Sequence, residues 1–279
     1  MKHTYSLRLS MEHDLENILA ALNRLLPNHD RITEIEYLPG GYSNRNYHVR
    51  SGSEDFILRL CSKKPSSTQT EFSYLNLTLA PTLIEYERST GNMVTREVHG
   101  SLLVHQPFTV LESVQYLQYI HSTIPIGIRK HDPVAVSLDH FAKSGVRNEL
   151  REFVETTSWS PRRLVGSHND LNPYNIIRTV DGSVVTLDWE FAGDNEGLFD
   201  LANLCSGLGY SDEEFDESAA LYSGSFHETE YLVLTRMVFQ AREHSWALAQ
   251  IAEGNDRDEI RAQVREARTE FHRIRDKYL

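Results

Sequence analysis

A short polar segment near the middle of the chain has the residue types needed to move a phosphoryl group. His168, Asp170 and Asn175 form the pattern H-x-D-x-x-x-x-N, and Asp188 follows after a β-branched run. In phosphoryl transfer a carboxylate orients the attacking hydroxyl, while Asn and Asp oxygens hold Mg2+ on the phosphates of ATP. We therefore predict Asp170 as the catalytic carboxylate and Asn175 and Asp188 as metal ligands, with ATP and Mg2+ as cofactors.

The pattern is short enough to arise by chance in a surface loop, so the surrounding sequence must support the chemical interpretation. Residues 175–178 and 183–187 read as strands, and Asp181 and Gly182 between them have the composition of a hairpin turn. Such a hairpin would deliver Asp188 from the end of its second strand. His168 is expected to anchor the loop through hydrogen bonds, so its titration need not govern the rate.

The residues before this segment predict a small antiparallel sheet, and most of the remaining chain predicts helices. Apolar spacing and turn residues indicate helices at 11–26 and 66–79, with strands at 32–38, 47–50, 56–60, 82–86 and 92–98. Further helices are expected at 110–121, 134–141, 147–157, 197–208, 212–223, 228–253 and 256–278. Ser211 with Glu214, and Ser225 with Glu228, have the spacing of capping boxes.

These elements predict an α+β fold with two domains. We expect a nucleotide-binding domain at residues 1–97, with a leading helix, and a catalytic and substrate domain at residues 98–279. The length is enough for two modest domains with a sizeable core. The backbone near residues 95–98, at the expected junction, is predicted to bind adenine.

The charge balance argues against nucleic acid as the main partner. The 279-residue chain has 28 Lys and Arg against 40 Asp and Glu, a net charge of −12, whereas nucleic-acid phosphates need a basic surface. The two cysteines form neither a metal pattern nor a disulfide framework. With no apolar leader and no stretch of transmembrane length, a cytoplasmic protein without a membrane partner is expected. The oligomeric state stays open.

Several segments resemble the aminoglycoside phosphotransferase and choline, ethanolamine and thiamine kinase superfamily, which has the two-lobe protein-kinase-like fold. The resemblance extends from about residue 38 to about residue 250, and it is carried by residues 38–47, 56–60, 187–194, 199–203 and 245–250. The string Leu187-Asp188-Trp189-Glu190-Phe191-Ala192-Gly193-Asp194 is especially similar to thiamine kinases. A small antiparallel-sheet lobe and a larger helical lobe are therefore expected.

The resemblance implies further roles around the nucleotide. Arg59 stands where protein kinases have a lysine, and it is expected to reach the α- and β-phosphates and to pair with Glu71. Ser43 and Asn44, after two glycines, are expected to bind the nucleotide through a tight loop, although glycines before a strand can also form only a hairpin turn. Glu71 could instead be a solvated helix residue. Glu190 could contact a second metal ion, support the metal ligands without binding the metal itself, or lie at the surface.

The resemblance also implies that Asp200 braces the catalytic loop and that the acceptor is a small, hydroxylated and cationic molecule. Trp246 could stack on a cation or pack in the core, and Asp194, Glu196 and Glu243 are candidate acids for such a substrate. Choline kinases have an acid where Gly207 aligns and a tryptophan where Glu243 aligns.

These departures count against choline, and the string at residues 188–194 together with the short C-terminal region favours thiamine as the first acceptor. Choline or ethanolamine comes next, and an aminoglycoside third. A catalytically silent nucleotide-binding module with the same fold is the alternative from another functional class.

Overall fold

The computed structural model describes residues 12–27, 29–39, 44–61, 68–224 and 229–279. The predicted nucleotide loop with Ser43, and the capping box of Ser225 and Glu228, lie outside these residues. The elements in chain order are α1 (Glu12–Leu25), β1 (Ile32–Leu38), β2 (Asn44–Ser51), β3 (Glu54–Cys61), α2 (Thr68–Tyr74), β4 (Leu83–Glu87), β5 (Asn92–Arg96), β6 (Gly100–Leu102), α3 (Val110–Thr123), α4 (Pro133–Ser144), α5 (Glu149–Thr156), β7 (Leu164–Ser167), β8 (Ile176–Thr179), β9 (Val184–Thr186), β10 (Gly193–Glu196), α6 (Gly197–Leu208), α7 (Asp212–Ser223), α8 (Thr229–Ala252) and α9 (Asp258–Tyr278).

The chain divides into two compact units. Unit 1 contains the described residues up to Leu102 together with Ile176–Glu190, and unit 2 contains Leu103–Asn175 and Phe191–Leu279. This division differs from the expected boundary at 97/98, because residues 98–102 and the hairpin at 176–190 pack within unit 1. The domain boundary itself stays a prediction. The α+β class is confirmed, since unit 1 carries the larger antiparallel sheet and unit 2 is mainly helical.

Unit 1 is built on a five-stranded sheet in the order β1-β2-β3-β5-β4, with every neighbouring pair antiparallel. The apolar side chains of helix α1 pack in one core with every second side chain of the strands. The helical spacing of the apolar residues in α1 and the alternation in the strands predict this arrangement. This core contains Ile18, Ala21, Leu22, Leu25, Leu26, Tyr47, Val49, Phe56, Leu58, Leu60 and Val94. It fixes β3, the strand that carries Arg59.

The predicted hairpin forms within unit 1 as the second and third strands of a sheet in the order β6-β8-β9. Its turn contains Gly182 at a φ of +85°, a left-handed conformation that suits glycine, and the Asp181 side chain accepts the backbone N–H of Ser183 at 3.1 Å. Strand β6 was not predicted, because three residues beginning with Gly100 have no alternating pattern.

Unit 2 is organised around α8, which packs against α9, α4, α6 and α5. The predicted bounds of α6 and α7 are confirmed, and so is the capping box between Ser211 and Glu214 at the start of α7. Strands β7 and β10 form an antiparallel pair beside these helices. Among the described residues, no helix has the length and apolar composition required to cross a bilayer.

Candidate active site

In unit 1 a buried ion pair joins the strand β3 to the helix α2. Arg59 Nη1 lies 2.6 Å from Glu71 Oε1, and Arg59 Nη2 donates to Glu71 Oε2 at 2.8 Å. The hydroxyl of Tyr86 also donates to Glu71 Oε2, at 2.7 Å. The predicted pair is therefore present, and Glu71 is not a solvated helix residue, since only 1% of it is exposed.

The same arginine extends toward the end of the hairpin. Arg59 Nη1 lies 3.7 Å from Asp188 Oδ1. Burial works to lower the pKa of Arg59, but the hydrogen bond and charge of Glu71, with the charge of Asp188, leave that pKa above its ordinary value. In unit 1 the permanently charged guanidinium of Arg59 thus lies between the carboxylates of Glu71 and Asp188. A guanidinium has N–H groups arranged to donate two parallel hydrogen bonds to a phosphate.

Asp188 has a backbone conformation that points to a functional turn. Its φ is +58°, which is uncommon for a residue with a side chain. The next residue, Trp189, is buried, stacks on Tyr74 with ring centroids 6.4 Å apart, and donates its indole N–H to Thr186 O at 2.9 Å. These contacts of Trp189 fix the backbone just after β9, and they therefore fix the direction of the Asp188 side chain.

In unit 2 the two carboxylate oxygens of Asp170 have different partners. Asn175 Nδ2 donates to Asp170 Oδ2 at 3.1 Å and to the Asp170 carbonyl at 3.0 Å. Arg242, on α8, donates from Nη2 to Asp170 Oδ1 at 3.0 Å. The carboxylate is partly exposed, so it is oriented by two donors and still accessible.

Asp200 holds the loop that contains Asp170. It lies in the first turn of α6, is fully buried, and accepts the backbone N–H groups of His168 at 2.8 Å and Asn169 at 2.7 Å. His121 Nε2 lies 3.0 Å from Asp200 Oδ2. Burial acts to raise the pKa of Asp200, but the hydrogen bond and charge of His121 keep that pKa lowered. The predicted bracing role of Asp200 is confirmed.

Two neighbouring residues complete the loop. The His168 ring accepts the backbone N–H of Asp170 at 3.3 Å, which confirms the predicted anchoring role. Asn169 has a φ of +65°, and its amide donates to the carbonyls of Phe191 and Gly193, each at 3.1 Å, while it accepts from Asn195 Nδ2 at 2.8 Å. Asn169 was not singled out from the sequence, although Asn is one of the few residues that tolerate this conformation.

Each unit carries oxygen donors of the kind that a hard divalent cation prefers, Asn175 in unit 2 and Asp188 in unit 1. Asn175 uses its amide nitrogen on Asp170, so its Oδ1 oxygen is the atom that can bind a metal. Amide and carboxylate oxygens are the ligands that Mg2+ takes beside phosphate. The metal roles of Asn175, Asp188 and Glu190 stay predictions.

Comparison with known proteins agrees with this arrangement. The family model described as choline/ethanolamine kinase matches residues 109–223. A choline kinase from Streptococcus pneumoniae superposes with a TM-score of 0.72 at 16% identity, covering 93% of this chain and 99% of that one. The chain has the protein-kinase-like fold. A Plasmodium vivax ethanolamine kinase gives a TM-score of 0.68 at 16% identity, with coverages of 97% and 90%.

The predicted resemblance to the kinase-like superfamily is confirmed. Another similar structure is a spectinomycin phosphotransferase in complex with ADP and spectinomycin, with a TM-score of 0.60, 13% identity, and coverages of 90% of this chain and 93% of that one. No curated protein sequence matches the chain.

The structure of this kinase-like chain changes the interpretation of two predicted substrate acids. Asp194 is 5% exposed and accepts the backbone N–H of Gly127 on both oxygens, at 3.0 and 2.9 Å. Glu196 is 1% exposed and accepts the N–H groups of Arg162 and Arg163 at 2.7 and 2.9 Å. Both lie on the unpredicted strand β10. Because these carboxylates are committed to buried backbone donors, the contacts disfavour the predicted substrate role.

The remaining substrate candidates lie on α8. Glu243 pairs with Arg242 through Oε1 at 2.5 Å and accepts from Gln263 Nε2 at 2.7 Å, so its charge is also engaged within the protein. Trp246 is half-buried, and both of its alternatives, substrate contact and core packing, stay open. Arg242 itself was missed from the sequence, because its position next to Asp170 depends on how α8 packs.

Gly207 shows why this chain lacks the acid expected of a choline kinase. A Cβ atom at residue 207 would lie 2.3 Å from Cδ of Pro173, which follows Asn172 in the catalytic loop. Helix α6 therefore approaches the loop too closely for any side chain at this position. The departure from choline kinases noted in the sequence has a steric cause within unit 2.

Proposed function

We propose that this protein is a phosphotransferase that uses ATP and Mg2+ to phosphorylate the hydroxyl of a small molecule. The observation that carries the proposal is the carboxylate of Asp170, which is fixed by Asn175 and Arg242 and lies in a loop braced by Asp200. Structures similar to this chain were solved with AMP and with ADP, which supports nucleotide binding.

The proposed chemistry assigns one task to each residue. Asp170 accepts a hydrogen bond from the acceptor hydroxyl and takes its proton as the new oxygen–phosphorus bond forms and the bond between the β-γ bridging oxygen and the γ-phosphorus of ATP breaks. Arg59, held by Glu71, binds phosphate oxygens. Asn175 and Asp188, with Glu190 as a further candidate, would hold Mg2+, which neutralises phosphate charge when bound. Asn44 begins β2 and remains a proposed nucleotide contact.

Choline or ethanolamine is the first acceptor class to test, because the choline/ethanolamine kinase family model matches residues 109–223, which contain α3 to α7. Thiamine is the second candidate, supported by the string at residues 187–194. A cationic acceptor is common to both, although Asp194, Glu196 and Glu243 are already paired within the protein.

The test is a steady-state assay of ADP release with Mg2+ and ATP against choline, ethanolamine, thiamine and kanamycin. One acceptor with clearly higher kcat/KM identifies the substrate. Tight ATP binding in calorimetry without turnover on any acceptor would instead favour a catalytically silent nucleotide-binding module.

The Asp170→Asn variant tests the catalytic assignment. We expect kcat to fall by about 10²- to 10⁴-fold, the usual contribution of a positioned acid or base, in a protein that remains folded. Asp216→Asn, at an exposed position of α7, is the matched control and should keep full activity. Near-normal turnover by Asp170→Asn would refute the assignment.

A further inference from the structure

One buried cation in unit 2 has no role in the predicted chemistry. Arg242 lies on α8 with 5% of its surface exposed, and its guanidinium donates three hydrogen bonds. Nη2 donates to the carbonyl of Asn169 at 2.5 Å and to Asp170 Oδ1 at 3.0 Å, while Nη1 donates to Glu243 Oε1 at 2.5 Å. The arginine therefore contacts both the backbone and the side chain of the catalytic loop.

The Arg242 guanidinium is also held through Nη1, the nitrogen that does not contact Asp170. Glu243 Oε2 accepts from Gln263 Nε2 of α9 at 2.7 Å, so a continuous series of hydrogen bonds connects α9 to Asp170. The ring of Phe191 lies 5.7 Å from the guanidinium carbon, within the range of a cation–π contact. These contacts fix the position of the Arg242 guanidinium, and Glu243 balances its positive charge.

We propose that Arg242 is a positioning residue for phosphoryl transfer, and that Glu243 of α8 and Gln263 of α9 fix it in place. The proposal rests on the proposed function. Asn175 holds one oxygen of Asp170 and Arg242 the other, so rotation of the carboxylate would break one of two charge-assisted hydrogen bonds. A carboxylate held in this way meets the acceptor hydroxyl without first having to reorient.

The contacts require arginine and not merely a positive charge. Two acceptors, the Asn169 carbonyl and the Asp170 carboxylate, lie in the catalytic loop and the third, Glu243, lies on α8, and a planar guanidinium with five N–H donors reaches all three together. Lysine has one nitrogen at the end of a flexible chain, so it can keep the charge but cannot keep all three contacts.

The test compares Arg242→Ala and Arg242→Lys with the wild-type protein on its best acceptor. We expect Arg242→Ala to lose about 100-fold in kcat, the scale of a misplaced catalytic group, with the KM for ATP unchanged. Millimolar guanidinium chloride should restore part of the kcat of Arg242→Ala and none of that of Asp170→Asn. Arg242→Lys should lose less, and Gln263→Ala less again.

Arg236 provides the matched control on the same helix. It is also buried, and it pairs with Asp212 at 2.8 Å rather than with the catalytic loop. Arg236→Lys should lower the melting temperature and leave kcat per folded molecule unchanged.

The possible outcomes separate this inference from the proposed function. Wild-type kcat in a folded Arg242→Ala protein, or in Arg242→Lys if the alanine variant does not fold, overturns the positioning role while the proposed function stands. A kcat loss in Arg242→Ala that guanidinium does not restore also overturns it. A wild-type protein that transfers no phosphoryl group to any acceptor overturns the proposed function and this inference together.

Discussion

At the scale of single residues, one carboxylate orders the catalytic loop without taking part in the transfer. Asp200 uses both oxygens on adjacent backbone N–H groups, those of His168 and Asn169, and also contacts the ring of His121. Its place in the first turn of α6 adds the favourable field of a helix N-terminus. These hydrogen bonds fix the backbone of the loop at His168 and Asn169, and they therefore fix the position of Asp170.

The Asp200→Asn variant should be strongly destabilised. The asparagine amide has one acceptor oxygen, and its NH2 group would face one of the backbone N–H groups of His168 and Asn169. That buried N–H group would lose its hydrogen-bond acceptor. Loss of one partner from a buried charged network costs about 3–5 kcal/mol, and kcat should fall as the loop loosens. Urea unfolding measures the free energy, with Asp216→Asn as an exposed comparison expected to change it by less than about 0.5 kcal/mol. Equal stability of the two variants would contradict the bracing role.

At the scale of elements, the distance between α6 and the catalytic loop is set by the absence of a side chain. Gly207 lies inside α6, where glycine ordinarily costs about 0.5–1 kcal/mol relative to alanine. The chain retains it because Pro173 occupies the space that a Cβ atom would need. Close packing at this point fixes the segment between Asp170 and Asn175.

Gly207→Ala should therefore destabilise the protein despite the better helix propensity of alanine. Overpacking of this kind costs about 1–3 kcal/mol, and displacement of Pro173 should also lower kcat. Ser206→Ala, one residue earlier in the same helix, controls for propensity and should change the unfolding free energy by less than about 0.5 kcal/mol. A Gly207→Ala protein more stable than wild type would show that the loop can move away at no cost.

At the scale of the whole molecule, one buried and one half-buried histidine, both neutral, make stability depend on pH. Burial lowers the pKa of His131 to about 3, with the charges of Arg242 and Arg129 acting in the same direction. Burial likewise lowers the pKa of His140 to about 4. In the unfolded chain both rings titrate near the ordinary value of about 6.5, so below that pH the unfolded state binds more protons than the folded state.

Stability should consequently fall as the pH drops from about 6.5 toward 4. Each of the two histidines contributes at most about 1.4 kcal/mol per pH unit in this interval, because only the unfolded state gains the proton. Urea unfolding at pH 7.5 and pH 5.0 measures the difference, and His131→Gln should reduce it. The same pH dependence in His131→Gln as in wild type would exclude His131 as a source.

Local patterns determined the residues of the catalytic motif, the bounds of α6 and α7, and the hairpin before Asp188. Each depends on residues close together in sequence, whose spacing or turn chemistry is directly visible. The pair between Arg59 and Glu71 also followed from the sequence, through its resemblance to kinases. These predictions concern which residues are present and which local structure they favour.

Tertiary structure alone decided which polar groups are committed to the protein itself. Asp194 and Glu196 were predicted as candidate substrate acids, yet the four-residue strand Gly193–Glu196 is buried, and its backbone pairs with β7. Arg242 contacts a loop 72 residues away in sequence, and Gly207 avoids a proline on another segment. Contacts between distant segments leave no periodic signal in the chain, because they arise only when whole elements pack against one another.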